Sequence, residues 1–264
     1  MMNISSTTAN SNVFSAQRNN APQIASAKQI NSSADSPSSI QILEQFNTQV
    51  IGSQRAYKNI LDGVSALQVA HSGLAQVSDS LQQLRELGIQ AGNGTLNDND
   101  RQAIQGQGDQ LLASIKDALS QTKFNDQSLL SGNTDTNLQT GVGPNDQQTL
   151  PGLDLSTEFE NIGLFSLDFS AHSVTNTLNS IDQALNINDR ANSELGGLEN
   201  RLGFSAANLI TATLNQSSSR SHIEDTDYAA AVSLLARQQL SEDVQTALLS
   251  QANAQRSDVL NLLK

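Results

Sequence analysis

The chain has 264 residues, of which 3% are aromatic and 37% hydrophobic, and it contains neither Trp nor Cys. This composition favours a helical bundle with narrow aliphatic seams over a spherical core, and it excludes disulfides and thiolate metal sites. Fourteen basic against 26 acidic residues give a net charge of −12, which argues against nucleic acid or anionic lipid as a partner.

The amino-terminal segment, residues 1–37, is rich in Asn, Ser, Ala and Gln and has only a weak apolar spacing. Alone, we expect it to be mostly disordered. Its first 20 residues lack the charged start and apolar stretch of a cleavable signal peptide, so any export is expected to use another route. No apolar run approaches the roughly 20 residues of a membrane span, so no membrane insertion is predicted.

A single long helix is predicted from about Ser38 to Ala91, with Asp35 or Ser36 as its N-cap and Pro37 at its first position. No proline interrupts this stretch, and Gly92-Asn93-Gly94 ends it. Apolar residues recur every three or four positions and form one stripe: Ile60, Val64, Leu67, Leu74, Val77, Leu81 and Leu84. A helix of this length buries little within itself, so it needs long partner helices.

Further helices are predicted at residues 98–122, from Val174 through Leu209, and from about Thr226 to Gln251. Gly196-Gly197 interrupts the second of these patterns, and residues 220–228 form a charged joint before the third. Between residues 133 and 171 the helical period is lost, and residues 144–147 are typical of a turn between two short strands. Residues 257–264 are predicted to form a separate, aliphatic tail that a partner covers.

The organisation is therefore symmetric, with an under-stabilised segment at each end and long helices between them. We predict a mainly α fold: an elongated bundle of long antiparallel helices with a small β-hairpin region. The predicted domains are a terminal one, residues 1–37 plus 224–264, and a core one, residues 38–223. The two ends must meet for the long helices to pair.

Motifs near both ends of the chain resemble those of bacterial flagellin. They are residues 30–35 (INSSAD), 59–63 (NILDG), 81–90 (LQQLRELGIQ) with 93–95 (NGT), 123–125 (KFN), 220–228 (RSHIEDTDY), 250–253 (SQAN) and 259–263 (VLNLL). The resemblance implies a secreted structural subunit that polymerises into the extracellular flagellar filament, with its termini paired as a coiled coil on assembly.

The same resemblance implies self-association and association with other flagellins. It also implies an export chaperone and filament cap or junction proteins as partners. The extra outer domains of larger relatives are expected to be missing. The interval between residues 16–19 and 30–31 is about half the usual one and contains Pro22, so a short or broken inner helix is expected. That shortening leaves an alternative open: a non-polymerising or minor junction or surface protein on the same scaffold.

Two sets of residues are candidates for contact sites. Members of the family use a patch on the long helix to pack neighbouring subunits, and the Toll-like flagellin receptor of animals reads the same patch. The matching residues here are Gln83, Arg85, Glu86, Leu87 and Gln90, with Gln107 on the next helix. The assembly tail comprises Leu248, Leu249, Val259, Leu260, Leu262 and Leu263.

Catalytic and metal sites are not predicted. The three histidines, His71, His172 and His222, are far apart in the sequence, and His71 falls on the apolar side of the long helix. The acidic stretches at residues 98–100 and 224–227 lack calcium-loop spacing and are expected to cap helices or face solvent. We therefore expect neither an enzyme nor a bound cofactor.

Overall fold

The computed structural model describes residues 22–32, 34–170 and 173–262, and it leaves out the side chains of Leu249, Asn253 and residues 256–262. The chain divides into two compact units. One consists of residues 51–213, and the other combines residues 1–50 with residues 214–264. His172 and Leu263, both singled out above, lie outside the described residues.

Helices dominate the chain in the order that the sequence predicts. They are α1 (Pro37–Ala91), α2 (Asp98–Gln121), α3 (Leu155–Asn161), α4 (Val174–Glu224) and α5 (Tyr228–Leu262), with a 3₁₀ turn at Leu164–Ser166. Strand β1 (Lys123–Phe124) pairs antiparallel with β2 (Gln127–Ser128), and β3 (Thr136–Gln139) pairs antiparallel with β4 (Gln147–Leu150). The mainly α fold class is confirmed.

Helix α1 begins at Pro37, as predicted, and the structure decides between the two N-cap candidates. The Ser36 carbonyl accepts the first helical hydrogen bond, from the Ile40 N–H at 3.1 Å, so Ser36 is the N-cap residue. Asp35 instead closes the preceding turn, where its carboxylate accepts from the backbone N–H groups of Asn31 and Ser32. Those two donors hold the pKa of Asp35 below its ordinary value.

The core of the unit at residues 51–213 forms around the predicted stripe of α1. Ile60, Leu67, Leu74, Val77, Leu81 and Leu84 are all buried there, and Val64 is half-buried. They pack with buried residues of α2, such as Ile115, and of α4, such as Ile181. Since burying one such side chain contributes about 1.5–3 kcal/mol, this stripe is the main stabilising feature of the unit.

Helix α4 is continuous through Gly196-Gly197, although the apolar spacing is interrupted there. A methyl group at either glycine would meet no atom within 4 Å, so no packing contact explains their presence.

Three polar contacts show how α1 and α4 are oriented, because the residue numbers rise along α1 as they fall along α4. His71 meets Asn192, the Leu74 carbonyl meets Asn188, and Arg85 meets Asp182. This order shows that the two helices are antiparallel.

Three short elements were not predicted. Asn125 (φ 51°) and Asp126 (φ 62°) form the two-residue loop between β1 and β2, a backbone geometry that suits tight hairpins. Helix α3 is capped by Asp154, whose carboxylate accepts from the Thr157 N–H at 3.1 Å. It buries Phe159 in the core of the unit, as the 3₁₀ turn buries Leu164.

The predicted hairpin around residues 144–147 is present as β3 and β4, with Asn137 opposite Thr149 in register. It lies against α1, because the Asn59 side chain donates to the Gln139 carbonyl at 3.1 Å. At its turn, the Asp146 carboxylate accepts from the Gly143 N–H at 2.8 Å.

In the other unit, the chain before α1 meets the joint between α4 and α5, as the sequence requires. Lys28 and Asp225 form an antiparallel bridge, flanked by hydrogen bonds from Gln29 N–H to the Glu224 carbonyl (2.7 Å) and from Thr226 N–H to the Ala27 carbonyl (3.0 Å). The Lys28 ammonium also pairs with the Glu224 carboxylate.

Two boundaries in this unit differ from the prediction. Helix α4 continues through most of the charged joint to Glu224, and α5 begins at Tyr228 rather than near Thr226. The stretch treated as a separate tail is helical as far as Leu262, so it is the end of α5. Residues 22–26 are helical and end at Ala27, whose φ of 56° is left-handed.

Replacing either of two glycines in α2 by alanine is expected to change the stability in opposite directions. A methyl group at Gly106 would meet nothing within 4 Å, whereas at Gly108 it would lie 2.5 Å from Cε2 of the buried Phe169 ring. Gly106→Ala should therefore raise the free energy of unfolding by up to about 1 kcal/mol. Gly108→Ala should lower it, because overpacking a core commonly costs about 1–3 kcal/mol. Urea unfolding followed by circular dichroism measures both, and equal stabilisation by the two substitutions would contradict this packing.

The core domain is predicted to lie between the limits at residues 37/38 and 223/224, and proteolysis of the free monomer can test these limits. We propose that the free monomer keeps residues 38–223 as its protease-resistant core, because the two terminal segments carry too few apolar residues to fold unaided. Limited proteolysis with mass spectrometry gives the limits of the stable fragment. Resistance of both termini in dilute monomer would show that the proposed limits are wrong.

Candidate functional site

The predicted contact patch lies in a groove between α1 and α2. Helix α1 contributes positions three or four residues apart, which share one helix face, and α2 contributes a second such series. The lining residues are Gln83, Glu86, Leu87 and Gln90 of α1 with Gln107, Gln110, Leu111 and Ser114 of α2. The structure therefore brings together five of the six patch residues.

The groove has an apolar floor and a polar rim. Leu87 and Leu111 are half-buried and pack against the core, which fixes the distance between the two helices. The glutamines at the rim are exposed, and Glu86 is the one charged residue among those that line the groove. This surface offers amide donors and acceptors, so it suits hydrogen-bonded contact more than ion pairing.

Arg85 is the patch residue that the structure places elsewhere. Its Nε donates to Asp182 Oδ1 of α4 at 2.8 Å, with both side chains about half exposed. An exposed pair of this kind contributes little, about 0–1 kcal/mol. Arg85 thus fastens α1 to α4 and does not line the groove.

Sequence reasoning missed the α2 side of the groove apart from Gln107. Gln110, Leu111 and Ser114 follow Gln107 by three, four and seven residues, so helical spacing alone would have placed them on the same face.

The second candidate surface is an exposed face of α5. Leu240, Val244 and Leu248 are four residues apart along the helix and are 65%, 50% and 59% exposed. The side chains of Leu249, Val259, Leu260 and Leu262 lie outside the described part of the chain. Of the side chains of the assembly tail, the structure describes Leu248 alone, and Leu248 shares its exposed helix face with Leu240 and Val244.

His71 lies in the seam between α1 and α4. Its Nδ1 is 2.5 Å from Asn192 Oδ1, and its Nε2 is 3.8 Å from Glu199 Oε2. Nearby, Asn188 is buried and donates to the Leu74 carbonyl at 3.3 Å. This is the environment of a structural histidine within a polar section of the seam. His222, the other described histidine, is exposed at the end of α4.

Among the described residues, no group of three or more His, Asp or Glu side chains could hold a metal ion. Asp168 has a pKa below its ordinary value because the Ser170 N–H, the Ser170 hydroxyl and the Ser173 hydroxyl donate to its carboxylate. Those contacts close the turn before α4, which is a structural role.

Within the same described ranges, no helix is both long and apolar enough to span a membrane.

A larger groove lies between α1, α4 and the two hairpins. Its walls are mostly aliphatic and small residues, among them Leu67, Leu138, Leu150 and Leu195, and Asp62 is the single charged residue in the lining. One exposed carboxylate without a second titratable partner cannot supply paired acid and base groups, so this groove has no evident catalytic arrangement.

Comparison with known proteins identifies the family. The profile of the bacterial flagellin N-terminal helical region matches residues 1–135, and that of the bacterial flagellin C-terminal helical region matches residues 178–263. The chain is 32% identical to a flagellin of Halalkalibacterium halodurans over 92% of this chain and 90% of the relative. It is 30% identical to a flagellar filament core protein of Treponema maltophilum over 92% of this chain and 91% of the relative.

A solved structure, that of a putative flagellar hook-associated protein from Vibrio parahaemolyticus, shares the fold. Its TM-score is 0.62 at 17% identity, and the match covers 72% of this chain and all of that one. The two family profiles together span most of the sequence and both of its ends. This chain therefore belongs to the bacterial flagellin family.

Proposed function

We propose that the chain is a structural subunit that polymerises with itself into the filament of the bacterial flagellum. The observation that carries this proposal is the uncovered aliphatic surface of α5, defined by Leu240, Val244 and Leu248. A contiguous apolar surface of this kind marks an interaction site, particularly on a chain with a net charge of −12. Its family, whose members are structural proteins, and the name of its Treponema relative support the same function.

The proposal has several consequences for partners and location. The subunit acts outside the cell, and its partners are further copies of itself and other flagellins. An export chaperone and filament cap or junction proteins complete the set, and these rest on the family resemblance alone. The protein has no catalytic role, and its patch residues act by contact.

The second candidate function is a minor or non-polymerising junction protein on the same scaffold. The likeness of fold to a putative hook-associated protein favours it. The short interval before residue 30 and the end of the helical residues 22–26 at Ala27 favour it as well. The two functions differ in one observable property, which is whether the unmodified chain forms long filaments by itself.

Assembly should depend on the exposed surface of α5. Replacing Leu240 and Val244 by Asp places charge on a surface meant to be covered, at a cost of several kcal/mol per ion in a dry contact. We expect sedimentable polymer to be lost while the helicity measured by circular dichroism is unchanged. Gln239→Asp with Thr246→Asp is the matched control, because it adds the same charge at exposed positions on a different side of α5.

If the Leu240 and Val244 variant polymerised as well as the control, this surface would not be an assembly element. If neither the unmodified chain nor the control polymerised, the junction function would replace the filament function.

The groove between α1 and α2 leads to a prediction about host recognition. The family patch for the Toll-like receptor has an Arg at the position of Gln83 and an acidic residue at that of Gln107. An amide cannot form the bidentate, charge-assisted contacts of a guanidinium, nor accept as a carboxylate does. Losing one charged contact at an interface centre commonly costs about 2 kcal/mol or more, at least about thirtyfold in affinity.

We therefore expect weak or absent receptor activation by the purified monomer in reporter cells. Gln83→Arg combined with Gln107→Glu should raise it, because both positions line the same groove. Gln110→Glu, which adds a carboxylate at another position of the groove, is the control for charge alone. Strong signalling by the unmodified monomer at low dose would show that the proposed role of these two glutamines is wrong.

A further inference from the structure

The turn between α1 and α2 contains Asn93-Gly94, the one Asn-Gly pair in the sequence. Both residues are exposed. An asparagine can react with its own backbone when the next residue's amide nitrogen attacks the side-chain carbonyl carbon. A glycine leaves that approach open because it has no Cβ. Even an added Cβ at Gly94 would meet no atom within 4 Å, so no other part of the chain crowds this residue.

The side-chain carbonyl of Asn93 is also activated. The Thr95 N–H and the Thr95 hydroxyl donate to Asn93 Oδ1 at 3.1 and 3.0 Å. Two donors on one carbonyl oxygen stabilise the negative charge that develops there when the carbon is attacked. The ring closed by the Thr95 N–H contact includes both Asn93 Cγ and the Gly94 nitrogen, so the two reacting atoms lie within the same turn.

We propose that Asn93 is a self-modifying site that loses its side-chain amide through a succinimide. The Gly94 nitrogen gives its proton to solvent and bonds to Asn93 Cγ, and the side-chain nitrogen takes a proton and leaves as ammonia. Water then opens the five-membered ring to aspartate or isoaspartate. Water is the co-reactant, and no oxidant or reductant takes part.

Arg101 determines which product predominates. Its Nη2 donates to the main-chain carbonyl of Asn93 at 3.1 Å, and its Nη1 donates to that of Ala91 at 2.5 Å. A charged donor polarises a carbonyl more strongly than the neutral donors of Thr95 do. Water therefore attacks the main-chain carbonyl of the succinimide, which leaves the Gly94 nitrogen on Cγ and places the new carboxylate beside the Arg101 guanidinium. Isoaspartate is the favoured product.

The product changes the junction of the two helices that form the groove. Isoaspartate adds one methylene group to the backbone between α1 and α2 and one negative charge to the chain. The change occurs three residues after Gln90, which lines the groove. The modification is independent of the proposed function, since it needs only the folded monomer.

The test is incubation of the full chain at neutral pH, with peptide mass mapping for amide loss and isoaspartate methyltransferase labelling for the product. The unmodified folded chain should convert Asn93 at least as fast as the same chain in denaturant, while the exposed Asn145 stays intact. Gly94→Ala should stop the conversion without disturbing the fold, because the space is open and the Gly94 φ is not left-handed.

Two further variants separate the steps. Thr95→Val should slow amide loss by about tenfold, less than for a buried oxyanion donor because the site is exposed. Arg101→Gln should leave the rate of amide loss unchanged and lower the isoaspartate fraction. Slower conversion in the folded than in the denatured chain, or a wild-type rate for Thr95→Val, would overturn the proposal. An unchanged product ratio in Arg101→Gln would overturn the role given to Arg101.

Discussion

The structure depends on covering one aliphatic stripe of a 55-residue helix. A helix gains little stability in water from its own hydrogen bonds, so α1 persists because α2 and α4 bury that stripe. The buried residues repeat at steps of three and four over Ile60 to Leu84, and the partner helices present Ile115, Ile181 and Leu198 to them. Leu130, Phe159 and Leu164, from the shorter segments of this unit, are buried in the same core.

Polar groups inside the seam fix how α1 and α4 pair. Aliphatic stripes tolerate a shift by one helical turn, because similar side chains recur at similar spacing. His71 contacts Asn192, and Asn188 donates to the Leu74 carbonyl, in one register only. A shift would leave the buried Asn188 amide without this partner, at a cost of about 1–3 kcal/mol. The helices therefore gain specificity of pairing from the few residues that break the aliphatic pattern.

A helix or strand could be predicted from the sequence only where its apolar pattern repeats over enough residues. Helices α1, α2 and α4 carry an apolar period over many turns, and their starts were placed within a residue. Helix α3 has seven residues and the first hairpin has two-residue strands, so neither is long enough to show a period. The loop at Asn125-Asp126 adopts left-handed φ without any glycine, so the Asn-Gly or Asp-Gly pair that most strongly predicts a hairpin is missing there.

The candidate contact site was predictable in part for the same reason. Gln83, Glu86, Leu87 and Gln90 share a face of a helix whose register the stripe had already defined. Arg85 is two residues from Gln83 and Leu87, so it points to another face and reaches Asp182 of α4. The partner residues on α2 depend on how two helices pack, and packing is a tertiary property that the pattern of either helix does not contain.

The terminal unit differs from the core unit in the balance between polar contacts and buried aliphatic side chains. Backbone hydrogen bonds join residues 27–29 to 224–226, and an ion pair from Lys28 adds to them. The aliphatic residues of α5, however, stay exposed. The described part of the chain thus combines a helical core that is buried within one subunit with an aliphatic surface on α5 that stays exposed. Polymerisation is then the step that completes the burial of its apolar surface.

Electron microscopy of a strain that produces this chain as its sole flagellin tests that claim most directly. The account predicts long filaments in which the α5 surface of each subunit is buried between chains. Cells without filaments, or filaments in which Leu240, Val244 and Leu248 remain open to solvent, would contradict it.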